Sequence, residues 1–390
     1  MDINAIRQDF PITKEFTYLD NAGLSPLPNQ VVKAVEGMLH ERSQKGTKAF
    51  WGWLEKADEV KSLLAGLINA TPDEIALTQN TSEGINLVAN MLDWRAGDNV
   101  VINNLEFFPN YWPWLRLRKF GVELRIVQHR NGFITTQDIA EQTDDRTRVI
   151  ALSNIAWING LKHNLNEIGA LAKQHGAYLV VDAIQSVGNM ELDVRQGPVD
   201  FLACGGHKWL FSLLGTGFFF CRKELIEKFE PVYLGWQSSD SRLDYTFREY
   251  TLSPTAQRFM HGNTSMAGVF AMAAGINYIN QVGLKNIENR NHELTGYLIE
   301  QLQTLGVGFL SPLEERYRSS IVNFLPLDAQ AVYKEAEARG IVVCVRGGGV
   351  RVSPNFYNTT EEIDQLIEVV RITERSAGSA KKRVHQSRNQ

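Results

Sequence analysis

Seven short apolar runs, each followed by a polar or glycine-containing turn and usually by a longer amphipathic segment, constrain this chain more than any other feature. They are EIALT (74–78), NVVIN (99–103), LRIVQ (124–128), RVIALSN (148–154), AYLVVDA (177–183), DFLACGG (200–206) and GTGFFFCR (215–222). Short strands alternating with helices of about a dozen residues build parallel βαβ units. Helices cover both faces of such a sheet, so its strands read as unbroken apolar runs, as LVV, FLA and FFF do here. The pattern predicts an α/β fold with a mainly parallel seven-stranded sheet in a large domain over residues 19–264. After about residue 265 the pattern changes to long helices (MAGVFAMAAGINYINQVG, KNIENRNHELTGYLIEQLQTLG) and then short strands and helices. That composition predicts a smaller α+β domain from residues 1–18 and 265–375. The end, 376–390, is small, polar and basic and is expected to be disordered.

The chain has 390 residues and a net charge of −4. Phosphate-tracking nucleic-acid binding and polybasic membrane attachment both need a basic surface, so neither class is expected. No apolar run reaches the ~18 residues of a membrane span. The three cysteines, Cys204, Cys221 and Cys344, are widely spaced and form no C-x-x-C pair, which argues against a disulfide framework or a zinc knuckle. No signal peptide is visible. The expected setting is cytoplasmic.

In an open α/β sheet, ligands bind beyond the carboxyl ends of the strands. The polar residues that follow the strands are Thr81-Ser82-Glu83, Glu106-Phe107-Phe108, Ser153-Asn154, Asp182 with Gln185, and Gly205-Gly206-His207-Lys208. Thr81 and Ser82 open a helix, where free N–H groups suit a phosphate, although taken alone an ordinary helix cap is the favoured reading. Asp182 ends a very apolar strand. It could cap a helix, bind a metal or pair with a buried cation; none of the eight histidines has metal-ligand spacing, so no metal is expected. Lys208 sits at a strand-to-loop corner in apolar sequence, a place that lowers a lysine pKa and favours Schiff-base chemistry. A lysine, an acid and an anion site together are what a pyridoxal cofactor requires.

The segments YLDNAG (18–23), QNTSEGINLVA (79–89), VVDAIQSVG (180–188), GGHKWLFSLLGTGF (205–218) and VRVSPNFYNTTEEID (350–364) resemble the class V aminotransferases. These are fold-type-I enzymes of pyridoxal 5′-phosphate and include the cysteine desulfurases. The resemblance implies that Lys208 forms the aldimine and shuttles protons, and that Asp182 pairs with the pyridine nitrogen. It implies that Gln185 and Asn154 lie beside the phenolic oxygen, Asn154 also near the substrate. Thr81, Ser82 and His207 would hold the phosphate, with Gly205 standing where relatives have a phosphate-site serine. Asn263 and Thr264 would reach the phosphate of the other subunit of a homodimer. Arg351 would hold the substrate α-carboxylate.

Two departures bear on activity. Desulfurases of this family carry a persulfide-forming cysteine in a loop before the Arg351 strand; here that stretch is Arg346-Gly347-Gly348-Gly349-Val350. Cys344 lies in the preceding apolar run and is expected to be buried and inert. Desulfurases also stack a histidine on the cofactor ring from a segment like EHH, where this chain has Glu106-Phe107-Phe108, so Phe108 is expected to stack instead. The ending RGGGVRVSPNFYNT is most similar to the isopenicillin-N-epimerase-like subgroup. A small amino-acid substrate follows. Transamination is placed first because it needs no leaving group, with C–S lysis by β-elimination and epimerisation as alternatives. Desulfuration and a non-catalytic, regulatory cofactor-binding role come behind them. Tyr111, Trp112, Trp114, Trp157 and Trp236 suit either an apolar substrate pocket or the core and subunit interface.

Overall fold

The structure, a computed structural model, describes residues 1–241, 244 and 249–387, with side chains to residue 377. Among the described residues there are thirteen strands: β1 Thr17–Tyr18, β2 Ile75–Thr78, β3 Asn99–Asn103, β4 Glu123–Val127, β5 Thr147–Ser153, β6 Tyr178–Asp182, β7 Phe201–Gly205, β8 Gly217–Cys221, β9 Gly308–Phe309, β10 Val322–Leu325, β11 Ile341–Val342, β12 Cys344–Arg346 and β13 Gly349–Val352. Seven of them make the large sheet, in the order β2-β8-β7-β6-β5-β3-β4. All neighbouring pairs are parallel except those made by β8, which runs antiparallel to β2 and β7. The seven apolar runs of the sequence are these seven strands, within one or two residues at each end. β2, β3, β7 and β8 are buried at every position. The edge strand β4 exposes Glu123, as a strand with one open side should.

A second, antiparallel sheet has the order β12-β13-β10-β9, and β1 pairs in parallel with β11. Its apolar face closes over a separate core containing Leu294, Leu298, Phe324, Val350, Val352, Ile363 and Val370. The helix Met266–Val282 opens the stretch expected to form the smaller unit, yet it contributes Val269, Met272, Ile276 and Ile279 to the larger core. It packs on the helices Asn29–Lys45 and Phe50–Ile68. Its Gly268 carbonyl accepts from Ser212 Oγ at 2.9 Å, which ties it to the loop that follows Lys208. The last helix runs Thr360–Ser387, past the point where the sequence predicted disorder. Residues 388–390 and the side chains from 378 lie outside the described residues. No described helix is long and apolar enough to cross a membrane.

Candidate active site

Three neighbouring parallel strands end together. In the register, Ser153 of β5 lies beside Asp182 of β6, and Asp182 beside Ala203 of β7. The chain leaves β7 through Gly205 and Gly206 and turns back with His207 and Lys208. The helix Thr81–Met91 starts over the same edge, with Asn80 as its cap: Asn80 Oδ1 accepts from Glu83 N at 3.0 Å. Thr81, Ser82, Phe108, Asp182, Gln185, His207, Lys208 and Arg351 all line one cavity of about 610 Å³. They come from five separate stretches of chain, and the topology alone gathers them.

Desolvation shapes the electrostatics here. Burial pushes the Asp182 carboxyl up to about 6, against a hydrogen bond from Ile184 N and the positive charge of Lys208. Among the described residues, that 3.0 Å bond is the one hydrogen bond the carboxylate receives. Burial lowers Lys208 to about 8; Asp182 opposes this, Arg351 adds to it and Asp20 opposes it. Lys208 Nζ therefore loses its proton far more readily than a solvated lysine. His207 is lowered to about 4, first by burial and then by Lys208, so its ring is neutral at pH 7. Gln185 is held at both ends: its Oε1 accepts from Trp209 Nε1 at 2.9 Å and its Nε2 donates to Ala22 O at 3.0 Å. One Nε2 hydrogen remains, and the end facing a ligand is thus a donor.

Some expected residues are placed elsewhere. Asn154 lines a neighbouring cleft with Lys162 and His163, and its Nδ2 contacts His163 O at 3.4 Å. Gly205 is buried, and its N–H donates to Thr81 Oγ1 at 3.0 Å, which ties the strand end to the helix start. Asn263 is exposed, Thr264 is partly buried, and neither lines the cavity of its own chain. Of the five aromatic residues set apart in the sequence, only Trp157 reaches the cavity. Trp114 is fully buried and donates to Asn110 Oδ1 at 3.0 Å. Phe108 lies over Trp112, with centroids 4.5 Å apart and planes at 18°, while Phe107 packs on Trp157 at 5.0 Å. Both phenylalanines line the cavity.

Glu106, just before this aromatic pair, was not given a role by the sequence. It is buried and receives four hydrogen bonds: from Asn103 Nδ2 and Ser153 N on one oxygen, and from Asn110 Nδ2 and Ser153 Oγ on the other. Burial nonetheless pushes its carboxyl up to about 7, with Asp182 adding to the rise. The network fixes the Phe107–Phe108 segment to the ends of β3 and β5.

Arg351 stands on β13, opposite Cys344 of β12. The two strands are joined by Gly347 and Gly348, with φ of +56° and +81°. A two-residue hairpin with positive φ at both positions requires such residues and leaves no loop to carry a side chain into the cavity. Arg351 is almost fully buried; its Nη1 donates to Trp157 O at 2.8 Å and its Nη2 to Asp20 Oδ1 at 2.9 Å. Cys344 lies behind this pair, its Sγ donating to Asp20 Oδ1 at 3.5 Å. Burial raises its thiol pKa first of all. Cys204 and Cys221 are buried core residues whose thiols are also raised by burial.

A fold of this kind, with a partly buried lysine and a buried acid at the sheet edge, defines a class of cofactor-dependent enzyme. Residues 17–366 match the family described as Aminotransferase class-V, and the chain belongs to it. A probable cysteine desulfurase of Methanothermobacter thermautotrophicus is 34% identical over 390 residues, covering 94% of this chain and 96% of that protein. The apo structure of a cysteine desulfurase from Thermococcus onnurineus NA1 superposes with a TM-score of 0.86 at 29% identity, over 96% of this chain and 98% of that one. The complex of the cystine C–S lyase C-DES with its reaction product, cysteine persulfide, shares the fold with a TM-score of 0.86 at 22% identity, over 93% and 98% of the two chains.

The cofactor is pyridoxal 5′-phosphate, and the donor set fits it. Asp182 is a buried anion on the cavity wall, placed for a protonated ring nitrogen. Lys208 Nζ makes no hydrogen bond or ion pair with the described residues and is free to bind an aldehyde. The start of the helix Thr81–Met91 offers backbone N–H groups and the positive end of its dipole to a phosphate.

Proposed function

We propose that this enzyme cleaves the C–S bond of a cysteine-type amino acid by β-elimination, releasing the sulfur with the product rather than storing it on the protein. The observation that carries this reading is the state of the thiols. All three cysteines are buried with raised pKa, and the nearest to Arg351, Cys344, is bonded to Asp20 behind a two-residue hairpin. A thiol can take sulfur from a substrate only as an accessible thiolate. Relatives named for cysteine desulfuration support C–S cleavage over transamination, which the sequence alone placed first.

When bound, pyridoxal 5′-phosphate supplies an electron sink at the substrate Cα. The chain's residues do the rest. Lys208 Nζ removes the Cα proton, and its lowered pKa lets it act as a base near neutral pH. Asp182 holds the proton of the ring nitrogen. Thr81, Ser82 and His207 would hold the phosphate, and Gln185 Nε2 would donate to the phenolic oxygen. Phe107, Phe108 and Trp157 give the cavity an apolar wall beside the substrate. Arg351 holds the α-carboxylate with the guanidinium hydrogens that Asp20 and Trp157 leave unused. The Cα–H and Cβ–S bonds break. With one water, the products are pyruvate, ammonia and a thiol from a thioether, or a persulfide from a disulfide.

We propose further that the enzyme is a homodimer in which Asn263 and Thr264 serve the partner's cavity, and that it works in a reducing cytoplasm, where three unpaired cysteines persist. Cys344→Ser tests the central reading. Elimination predicts unchanged release of pyruvate and sulfur; loss of cleavage with Arg351 and the cofactor in place would make Cys344 the sulfur acceptor.

A further inference from the structure

The YLDNAG segment has no assigned role, yet it joins the two sheets at the cavity. Leu19 N donates to Val342 O at 3.0 Å, Ser353 N to Leu19 O at 2.7 Å, and Ala22 N to Ser353 Oγ at 2.8 Å. On the opposite side, Ala22 O accepts from Gln185 Nε2, and Ser25 N donates to His207 O at 3.4 Å. The segment, together with Ser25 just beyond it, is therefore bonded both to the strand that carries Arg351 and to the loops that carry Gln185 and Lys208.

Asp20 lies at the middle of this strap. Its Oδ1 accepts from Arg351 Nη2 and from Cys344 Sγ. Its carboxylate folds back over Gly23, where an added Cβ would lie 2.6 Å from Oδ2 and 3.0 Å from Cγ. Ala22 and Gly23 line the cavity, and Asp20 stands behind them. A guanidinium is planar, so two acceptors at different nitrogens, Asp20 Oδ1 and Trp157 O, fix both its position and its plane.

We propose that Asp20 is a positioning residue for substrate recognition: it presets the Arg351 guanidinium for an α-carboxylate, and Gly23 lacks a side chain because the Asp20 carboxylate occupies that space. The proposal rests on the reading of Arg351 as the carboxylate-binding residue. It makes the preference for amino acids over simple amines a property of the Asp20–Arg351 pair and not of Arg351 alone.

The test uses the cofactor-loaded enzyme and follows its visible absorbance during titration with L-alanine and, separately, with ethylamine, which lacks the carboxylate. Asp20→Asn and Gly23→Ala are expected to weaken L-alanine binding by roughly tenfold or more relative to ethylamine binding, with bound cofactor unchanged. A parallel loss of both ligands, a loss of cofactor, or no change in either ligand would overturn the proposal and make the strap a structural stitch. Gly23→Ala keeps the Asp20 charge, so it reports on geometry if Asp20→Asn folds poorly. Neither ligand has a C–S bond, so the outcome does not depend on β-elimination. Arg351→Lys is the reference: if it too leaves the L-alanine to ethylamine ratio unchanged, the assignment of Arg351 fails first.

Discussion

Replacing Gly84 with alanine strains the end of the helix that opens onto the cavity, by an amount the packing defines. A Cβ at Gly84 would lie 2.6 Å from Ala203 Cβ and 3.4 Å from Phe219 Cδ2. Carbon atoms in contact need about 3.5–4.0 Å, so the helix Thr81–Met91 must withdraw from β7 by about 1 Å. Overpacking of this size costs about 1–3 kcal/mol. The same movement stretches the 3.0 Å bond from Gly205 N to Thr81 Oγ1, a further loss of about 1 kcal/mol. Alanine's better helix propensity returns about 1 kcal/mol. The net loss is about 1–3 kcal/mol. Part of it appears as weaker cofactor binding, because Thr81 and Ser82 move with the helix. Thermal melts of the apo and cofactor-loaded protein and a cofactor titration measure both effects. Gly66→Ala is the control: Gly66 is exposed in the helix Phe50–Ile68 with no atom within 4 Å of the new Cβ, so it should gain about 0.5–1 kcal/mol. Gly84→Ala with unchanged melting and unchanged cofactor affinity would refute the reasoning.

Three other outcomes follow from the site. Lys208→Ala should fold, bind less cofactor and lose the visible absorbance of the lysine-bound form; unchanged absorbance would remove Lys208 from the chemistry. Glu106→Gln tests the buried carboxyl whose pKa is pushed up to about 7. Between its ordinary value and about 7 the native state binds a proton that the unfolded state does not, so the stabilisation is complete at low pH and is lost as pH rises through 7. The shift corresponds to about 3 kcal/mol. Glutamine stands in for the protonated carboxyl and does not titrate, so the two proteins should have similar denaturation midpoints at pH 5 and Glu106→Gln should be the more stable at pH 8; a gap independent of pH would contradict the assignment. Asp182→Asn should weaken cofactor binding while leaving the apo protein at least as stable at pH 8, because a buried charge has been removed; a large loss of apo stability would mean that the carboxylate supports the fold rather than the ring nitrogen.

The large sheet was legible because buried parallel strands leave a signal that local sequence carries. NVVIN is β3 to the residue, and the other runs differ only at their ends. The helix Met266–Val282 was harder to place for the opposite reason. MAGVFAMAAG is apolar around most of its circumference, so its pattern says that it is buried but not against which sheet. Asp182, Lys208 and Thr81 could be expected to share a cavity because each stands at or just beyond a strand end, a position that topology converts into proximity. Asp20 was quoted only as part of a motif, since its partner Arg351 lies 331 residues further on and no periodicity connects them. Glu106 reads as a loop acid until the four donors from β3, β5 and the following turn are seen. The aromatic residues show the limit of composition: Trp114 and Trp157 look alike in sequence, but one is core and the other lines the cavity.

Product analysis with L-cysteine and L-cystine is the most direct test of C–S elimination. The account predicts pyruvate and ammonia in equal amounts, with sulfide released from cysteine and persulfide from cystine, and no requirement for a keto-acid acceptor. Alanine as the carbon product would mean that a thiol of the protein removes the sulfur. Conversion of the amino acid to its keto acid with the C–S bond intact, and return of the amino group to an added keto acid, would mean transamination. Either result would contradict the account.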